Sequence, residues 1–162
     1  GDDRPGLVEQ LSSAIENSRG NWLESRLAQL GGKFTGLVLV SLPEENSQSL
    51  RSDLESLAAD GLSVRLTATS AAETAAGGRA ITLTVLGPDR LGIVREISRA
   101  LAQRNINVVE MDSHVDSAPM SAEMMFRARI DAEIPESTDL GDLHDTLDDI
   151  ANHMTLDIEL DA

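Results

Sequence analysis

Residues 87–101, GPDRLGIVREISRAL, carry the reading that decides the fold, because residues 1–15, GDDRPGLVEQLSSAI, say nearly the same thing. At a constant offset of 86 residues, Gly1, Asp3, Arg4, Gly6 and Val8 match Gly87, Asp89, Arg90, Gly92 and Val94. Leu7, Leu11, Ala14 and Ile15 stand against Ile93, Ile97, Ala100 and Leu101, and Asn21 against Asn107. The apolar positions recur at three- and four-residue spacing, as a helix buried on one face requires. Asp3 and Asp89 are placed to accept hydrogen bonds from unpaired N–H groups of the first turn. Pro5 suits an early helical position, a restriction its counterpart Leu91 lacks. The chain is an internal repeat.

The segments after each helix keep to one plan. NWLESRLAQL and NVVEMDSHVD read as strands, with FTGLVLVSL and EMMFRARIDA as their partners. Gly31 and Gly32 close the first pair tightly, and a longer loop around Pro119 closes the second. Second helices come next, with Leu50, Leu54 and Leu57 on one face and Leu143, Leu147 and Ile150 on the other copy's. Each copy then ends in an alternating strand, GLSVRLTAT or HMTLDIELD, in which Leu62, Val64 and Leu66 oppose Met154, Leu156 and Ile158.

RAITLTVLG adds a strand just ahead of the second signature, with Ile81, Leu83 and Val85 turned inward. The second copy is therefore β-α-β-β-α-β, the split ferredoxin-like arrangement. The expected fold is α+β: two such domains in tandem, residues 1–70 and 79–162, joined by a small-residue linker at 71–78. Each has two helices covering one face of an antiparallel sheet. Neither has a large core, so association of the two within the chain, and homodimerisation, are expected. The first copy lacks its opening strand, which is central in this arrangement. A preceding segment is the economical source, another chain the alternative.

Composition excludes several function classes. The 162 residues include 28 acidic and 13 basic side chains, a formal charge of −15. Such a surface repels phosphate backbones, and the arginines are scattered, so direct nucleic-acid binding is not expected. With no cysteine, disulfides, thiolate metal sites and cysteine nucleophiles are absent. No run approaches the roughly 18 apolar residues of a membrane helix, and no signal peptide is visible. The expected location is the cytoplasm.

The chemistry-bearing residues do not assemble into catalytic machinery. His114, His144 and His153 lack the spacing that sets two imidazoles over one helical face, and His114 between Asp112 and Asp116 reads as acidic surface. Ser12, Ser13 and Ser98 fall in helices rather than on a nucleophile-bearing turn. GDDRPG and GPDRLG match neither standard phosphate loop. Gly6 and Gly92 read first as sites of close backbone approach. The same gap would open the helix N–H groups to a small carboxylate. No cofactor or metal is expected.

DDRPGLVEQLSSAI and PDRLGIVREISRAL, followed by NWLES and NVVEM, resemble paired ACT domains, and the nearest pattern is the glycine cleavage system transcriptional repressor family. The resemblance covers the chain apart from the absent first strand. It implies a non-enzymatic regulator that binds an amino acid such as glycine near the loop between first strand and first helix. Carried onto this sequence, the ligand-binding candidates are Asp3, Arg4, Gly6, Asn21, Asp89, Arg90, Gly92 and Asn107. The resemblance further implies control of transcription through an activator protein rather than by gripping DNA. A regulatory module of a metabolic enzyme is the alternative, and an acylphosphatase-like enzyme a minor one, since Arg4 or Arg90 with Asn21 or Asn107 only imitates its cradle.

Overall fold

The computed structural model describes residues 1–69, 78–118 and 122–162. The chain divides into two compact units, Gly1–Ser70 and Ala71–Ala162. Most of the expected linker, residues 71–77, and the turn around Pro119 lie outside the described residues.

The second unit runs β3 (Arg79–Pro88), α3 (Ile93–Ala102), β4 (Asn107–Ser117), β5 (Met124–Ile134), α4 (Leu140–Met154) and β6 (Asp157–Asp161). Its four strands form an antiparallel sheet in the order β4-β5-β3-β6. The period-two alternation of β3 and β5 decides which side is covered. Ile81, Leu83 and Val85 face inward beside Ala132, Ile130 and Ala128, their cross-strand partners. The stripes Ile93–Ile97–Leu101 of α3 and Leu143–Leu147 of α4 close over them in one apolar core. Leu83 and Leu143 are completely buried. On the opposite face Arg127, Arg129, Asp131, Asp112 and His114 lie among further acidic side chains.

Helix α4 starts at Asp139, whose carboxylate accepts from the N–H groups of Gly141 at 2.8 Å and Asp142 at 3.3 Å. Asp139→Ala leaves both donors without that acceptor, and a loss of about 1 kcal/mol is expected in chemical denaturation. Asp139→Asn should recover most of it. At this same end of α4, Arg104 ties α3 to α4: it donates to the Asp142 carboxylate at 2.6 Å, to the Thr146 hydroxyl at 2.6 Å and to the Ala100 carbonyl at 3.1 Å.

The first unit contains α1 (Leu7–Asn17), β1 (Asn21–Leu30), β2 (Lys33–Ser41) and α2 (Ser47–Ser56), which tightens into a 3-10 turn over Leu57–Asp60. Among the described residues its sheet is the hairpin β1-β2. Leu11, Ala14, Ile15, Leu50 and Leu54 form its buried core, with Trp22, Val38 and Val40 packed against them. Gly1–Asp3 run beside the end of β2: Gly1 and Phe34 exchange both backbone hydrogen bonds, at 3.1 and 2.9 Å, and Asp3 N–H donates to the Gly32 carbonyl at 2.9 Å. The equivalent bond in the second unit is Asp89 N–H to the Met124 carbonyl at 2.8 Å. Gly1–Asp3 thus occupy the place where β3 ends, and the altered strand order of this unit is that of a sheet lacking its opening strand.

That absence corrects one expectation. GLSVRLTAT forms no strand: Leu62 is buried and Val64 and Leu66 half-buried, alternating with exposed neighbours, yet the segment has no ladder partner among the described residues. The strand that β3 offers to β6 has no counterpart here. The residue matching also shifts. Gly61 and Thr155 both end the second helix with positive φ, at 83° and 57°. The Leu62 N–H donates to the Leu57 carbonyl as the Leu156 N–H does to that of Ala151. Leu62, Val64 and Leu66 therefore correspond to Leu156, Ile158 and Leu160, and Met154 belongs to α4.

Both outer strands carry an irregularity at the same place in the repeat. The β1–β2 register shifts between Trp22 and Glu24, and the β4–β5 register between Val108 and Glu110. Leu23 and Val109, the residues in between, are both exposed.

Candidate functional site

Each signature loop joins the end of the opening-strand position to the first residue of a helix. Helix α1 begins after Gly6 at φ 91° and α3 after Gly92 at φ 98°, and neither start has a side-chain cap. Asp3 and Asp89 therefore do not cap, and Pro5 lies in the turn ahead of the helix rather than inside it. In each copy the glycine carbonyl accepts from the fourth residue on, Gln10 or Glu96, at 2.9 Å. The N–H groups of the first turn before that point have no intrahelical acceptor, as at any helix start. They and the helix dipole favour a negative group.

The reason for these two glycines differs from the expected one. A Cβ at Gly6 or Gly92 would meet nothing within 4 Å, so no backbone presses on either. Positive φ is what selects glycine here, since an L side chain is strained in that conformation. The close approach falls on Gly1 and Gly87 instead, which lie against Gly61–Leu62 and Thr155–Leu156. Gly92→Ala is expected to cost about 1–2 kcal/mol through strain alone. Thermal unfolding of the purified variant checks this, and the expected effect is a lower midpoint with an unchanged fold.

The two loops are not equivalent. Arg4 donates to Gln10 Oε1 at 2.9 Å and to the Asp60 carbonyl at 3.0 Å, fastening the loop to the end of the second helix. Arg90 is exposed and makes no hydrogen bond among the described residues, and Leu91 beside it is 99% exposed. Asp89 and Asp3 are exposed carboxylates without a side-chain partner among the described residues. The loop of the second unit thus presents a free cation, a free carboxylate and open space over a helix start. The first-turn Glu96 of α3 is held by Arg95 at 2.9 Å and Arg99 at 3.4 Å.

Asn21 and Asn107 are not beside their own unit's loop. Asn21 pairs with Ser41 and Asn107 with Glu133, whereas the loop ends of the same sheets are marked by Phe34 and Phe126. Seven residues separate those positions along β2 and along β5, roughly 23 Å of extended chain. The structure gathers Asp3, Arg4 and Gly6 in one loop and Asp89, Arg90 and Gly92 in the other, and leaves the asparagines at the far end. The loop-fastening role of Arg4 had no sequence signal, because its acceptors are a backbone carbonyl and a glutamine.

Two carboxylates are perturbed, one on the outer sheet face of the second unit and one at the start of the first signature stretch. The hydroxyl of Thr82, donating at 2.6 Å, holds the Asp131 carboxyl below the usual range, with Arg129 reinforcing it. The hydrogen bond from Lys33 does the same for Asp2. His114 Nε2 stands 3.8 Å from Asp116. Among the described residues no group of three or more His, Asp and Glu side chains is placed to hold a metal ion. Nor is any helix among them long and apolar enough to cross a membrane.

Comparison with known proteins defines the class. ACT-domain models match residues 1–69 and residues 81–148. The chain belongs to the ACT-domain family, as a tandem pair. An uncharacterised protein of Galdieria sulphuraria of known structure is 30% identical, with a TM-score of 0.79 over 99% of this chain and 92% of its own. A protein described as a glycine cleavage system transcriptional repressor shares the fold at a TM-score of 0.71 and 23% identity, over 99% of this chain and 91% of its own. A search of curated proteins found no match.

Proposed function

We propose that this chain is a non-enzymatic, amino-acid-responsive regulator that works by contacting another protein. Tandem ACT domains are typical of such regulators. The observation that carries the reading is the loop of the second unit. Gly92 opens α3 without a side chain over its unpaired N–H groups, and the free carboxylate of Asp89 and the free guanidinium of Arg90 are in the same loop. An amino acid's carboxylate would take the helix N–H groups, and its ammonium the Asp89 carboxylate. Asp3 and Gly6 offer the same to a second molecule, with Arg4 as a structural tie. Asn21 and Asn107 stay candidates only for a ligand shared with another sheet.

Glycine is the first ligand to test, and the fold shared with the repressor supports that choice. Calorimetry of the full chain against a panel of amino acids should show binding that Asp89→Asn weakens by about tenfold or more, the loss expected for one charge-assisted contact. Flat heats across the panel would remove the sensing role.

The partner we propose is a transcriptional activator, met in the cytoplasm. The −15 charge opposes direct DNA contact and would steer encounter with a basic protein surface. Co-purification with and without glycine, followed by a DNA-shift assay, tests both parts. Specific DNA binding by the chain alone would overturn the indirect route. Recovery with a metabolic enzyme would favour a regulatory module instead.

A further inference from the structure

The outer sheet face of the first unit, turned away from α1 and α2, is apolar where its counterpart in the second unit is charged. Val38 and Val40 pack into the core, so the alternation of β2 turns Leu37 and Leu39 outward, with their cross-strand partners Arg26 and Glu24. Leu37 is 77% exposed and Leu39 42%. In the second unit the same rungs of the same face pair Arg129 with Asp112 and Asp131 with Glu110. Two leucines thus stand where the other copy carries an arginine and an aspartate. The sheet of the second unit forms with charges at these positions, so folding alone does not call for the leucines. An uncovered apolar strip of this kind marks a contact. We propose that this face pairs with the same face of a second copy of the chain, across a two-fold axis lying between the two sheets.

Charge selects that occupant. The two rungs that carry the leucines hold one ion pair, Glu24 with Arg26 at 3.4 Å, and so no net charge, in a chain of −15. A basic partner gains nothing from such a face and is drawn to the acidic remainder of the chain. The chain as a whole repels a second copy, and this face does not.

The order of side chains along the strands sets the register. Glu24–Leu39 and Arg26–Leu37 are neighbouring rungs of the face, two residues apart along each strand. An axis crossing the strands midway between them lays each Glu24 over the partner's Arg26 and each Leu37 over the partner's Leu39. All four charges then meet their opposites across the interface. An axis running along the strands would instead lay each Glu24 over a leucine and desolvate it without a new partner. Sheets stacked face to face run their strands within about 30° of each other, roughly 10 Å apart. The face is only two strands wide, so the pairing belongs to the weak class, below roughly 1,200 Å² of total buried surface. It forms at high concentration and is lost on dilution.

Sedimentation equilibrium of the full chain from about 10 to about 500 µM reads the association. The weight-average mass is expected to rise with concentration toward twice that of one chain. Leu37→Arg combined with Leu39→Asp copies the pair Arg129 and Asp131, and is expected to weaken association by at least about tenfold. Glu24→Arg and Arg26→Glu, each alone, set like charges against each other across the axis and should do the same. Mixed in equal amounts, these two variants complement each other, and the mixture should associate at least as tightly as the parent chain. All four positions are exposed, so the variants keep their fold, which circular dichroism checks. A parent chain that stays monomeric to the highest concentration overturns the proposal. So does a mass that Leu37→Arg with Leu39→Asp leaves unchanged, because the copies would then meet elsewhere. A mixture that associates no better than its two components overturns it as well, since the faces would then not oppose each other.

Discussion

Replacing Leu143 with alanine is expected to remove about 2–5 kcal/mol from the stability of the second unit. Leu143 is completely buried and sits where α4 meets the sheet, in one cluster with Leu83, Ile97 and Ile130. Only Phe126 brings an aromatic ring to that core, so the gap would have to be filled by aliphatic side chains already fixed by the sheet and by α3. Against a typical net stability of 5–15 kcal/mol, such a loss is large. Chemical denaturation combined with hydrogen exchange at β3 and β5 amides measures it in this unit specifically. Leu143→Met should cost under about 1.5 kcal/mol, since it conserves volume. A loss below about 1 kcal/mol for the alanine variant would mean that the helices close over the gap.

Gly87→Ala carries the next largest expected effect. A Cβ there would lie 2.6 Å from Leu156 Cδ2 and 2.8 Å from the Thr155 carbonyl oxygen. The leucine tip can turn away, but the carbonyl belongs to the turn that ends α4 and starts β6, so backbone must move. The expected cost is about 1–3 kcal/mol, as for overpacking elsewhere. It should appear as faster exchange of amides in β6 while those of β4 and β5 keep theirs. Even loss of protection across the whole sheet would mean that β6 does not yield separately.

Those two positions show what the sequence makes legible. The helices of both units and the sheet of the second could be read because their cores rest on period: Ile81–Leu83–Val85 at two, Ile93–Ile97–Leu101 at three and four. The role of each glycine could not. Gly6 and Gly92 recur in the repeat beside Gly1 and Gly87, and identity alone does not separate positive φ from close approach. The final strand of the first copy failed for a different reason. Its alternation, Leu62–Val64–Leu66, is sound, but a strand exists only against a neighbour, and that neighbour is the missing one. The candidate site was legible as a loop and illegible as a set. Asp89, Arg90 and Gly92 are adjacent in the chain and stay together, whereas Asn107 was joined to them by the repeat alone and lies at the sheet's far end.

The register shifts at Leu23 and Val109 bear on how these sheets behave as building material. A long exposed edge invites stacking of chain upon chain without limit, and β4, exposed along its whole length, is such an edge. The inserted residue breaks the even spacing of its backbone groups and adds twist. A strand laid against β4 therefore finds an unbroken run of matched partners only from Glu110 to Ser117, where Asp112 and Asp116 repel a like-charged newcomer. The bulge acts as a length stop. It admits a short, closed pairing and denies the uninterrupted template on which fibrils grow.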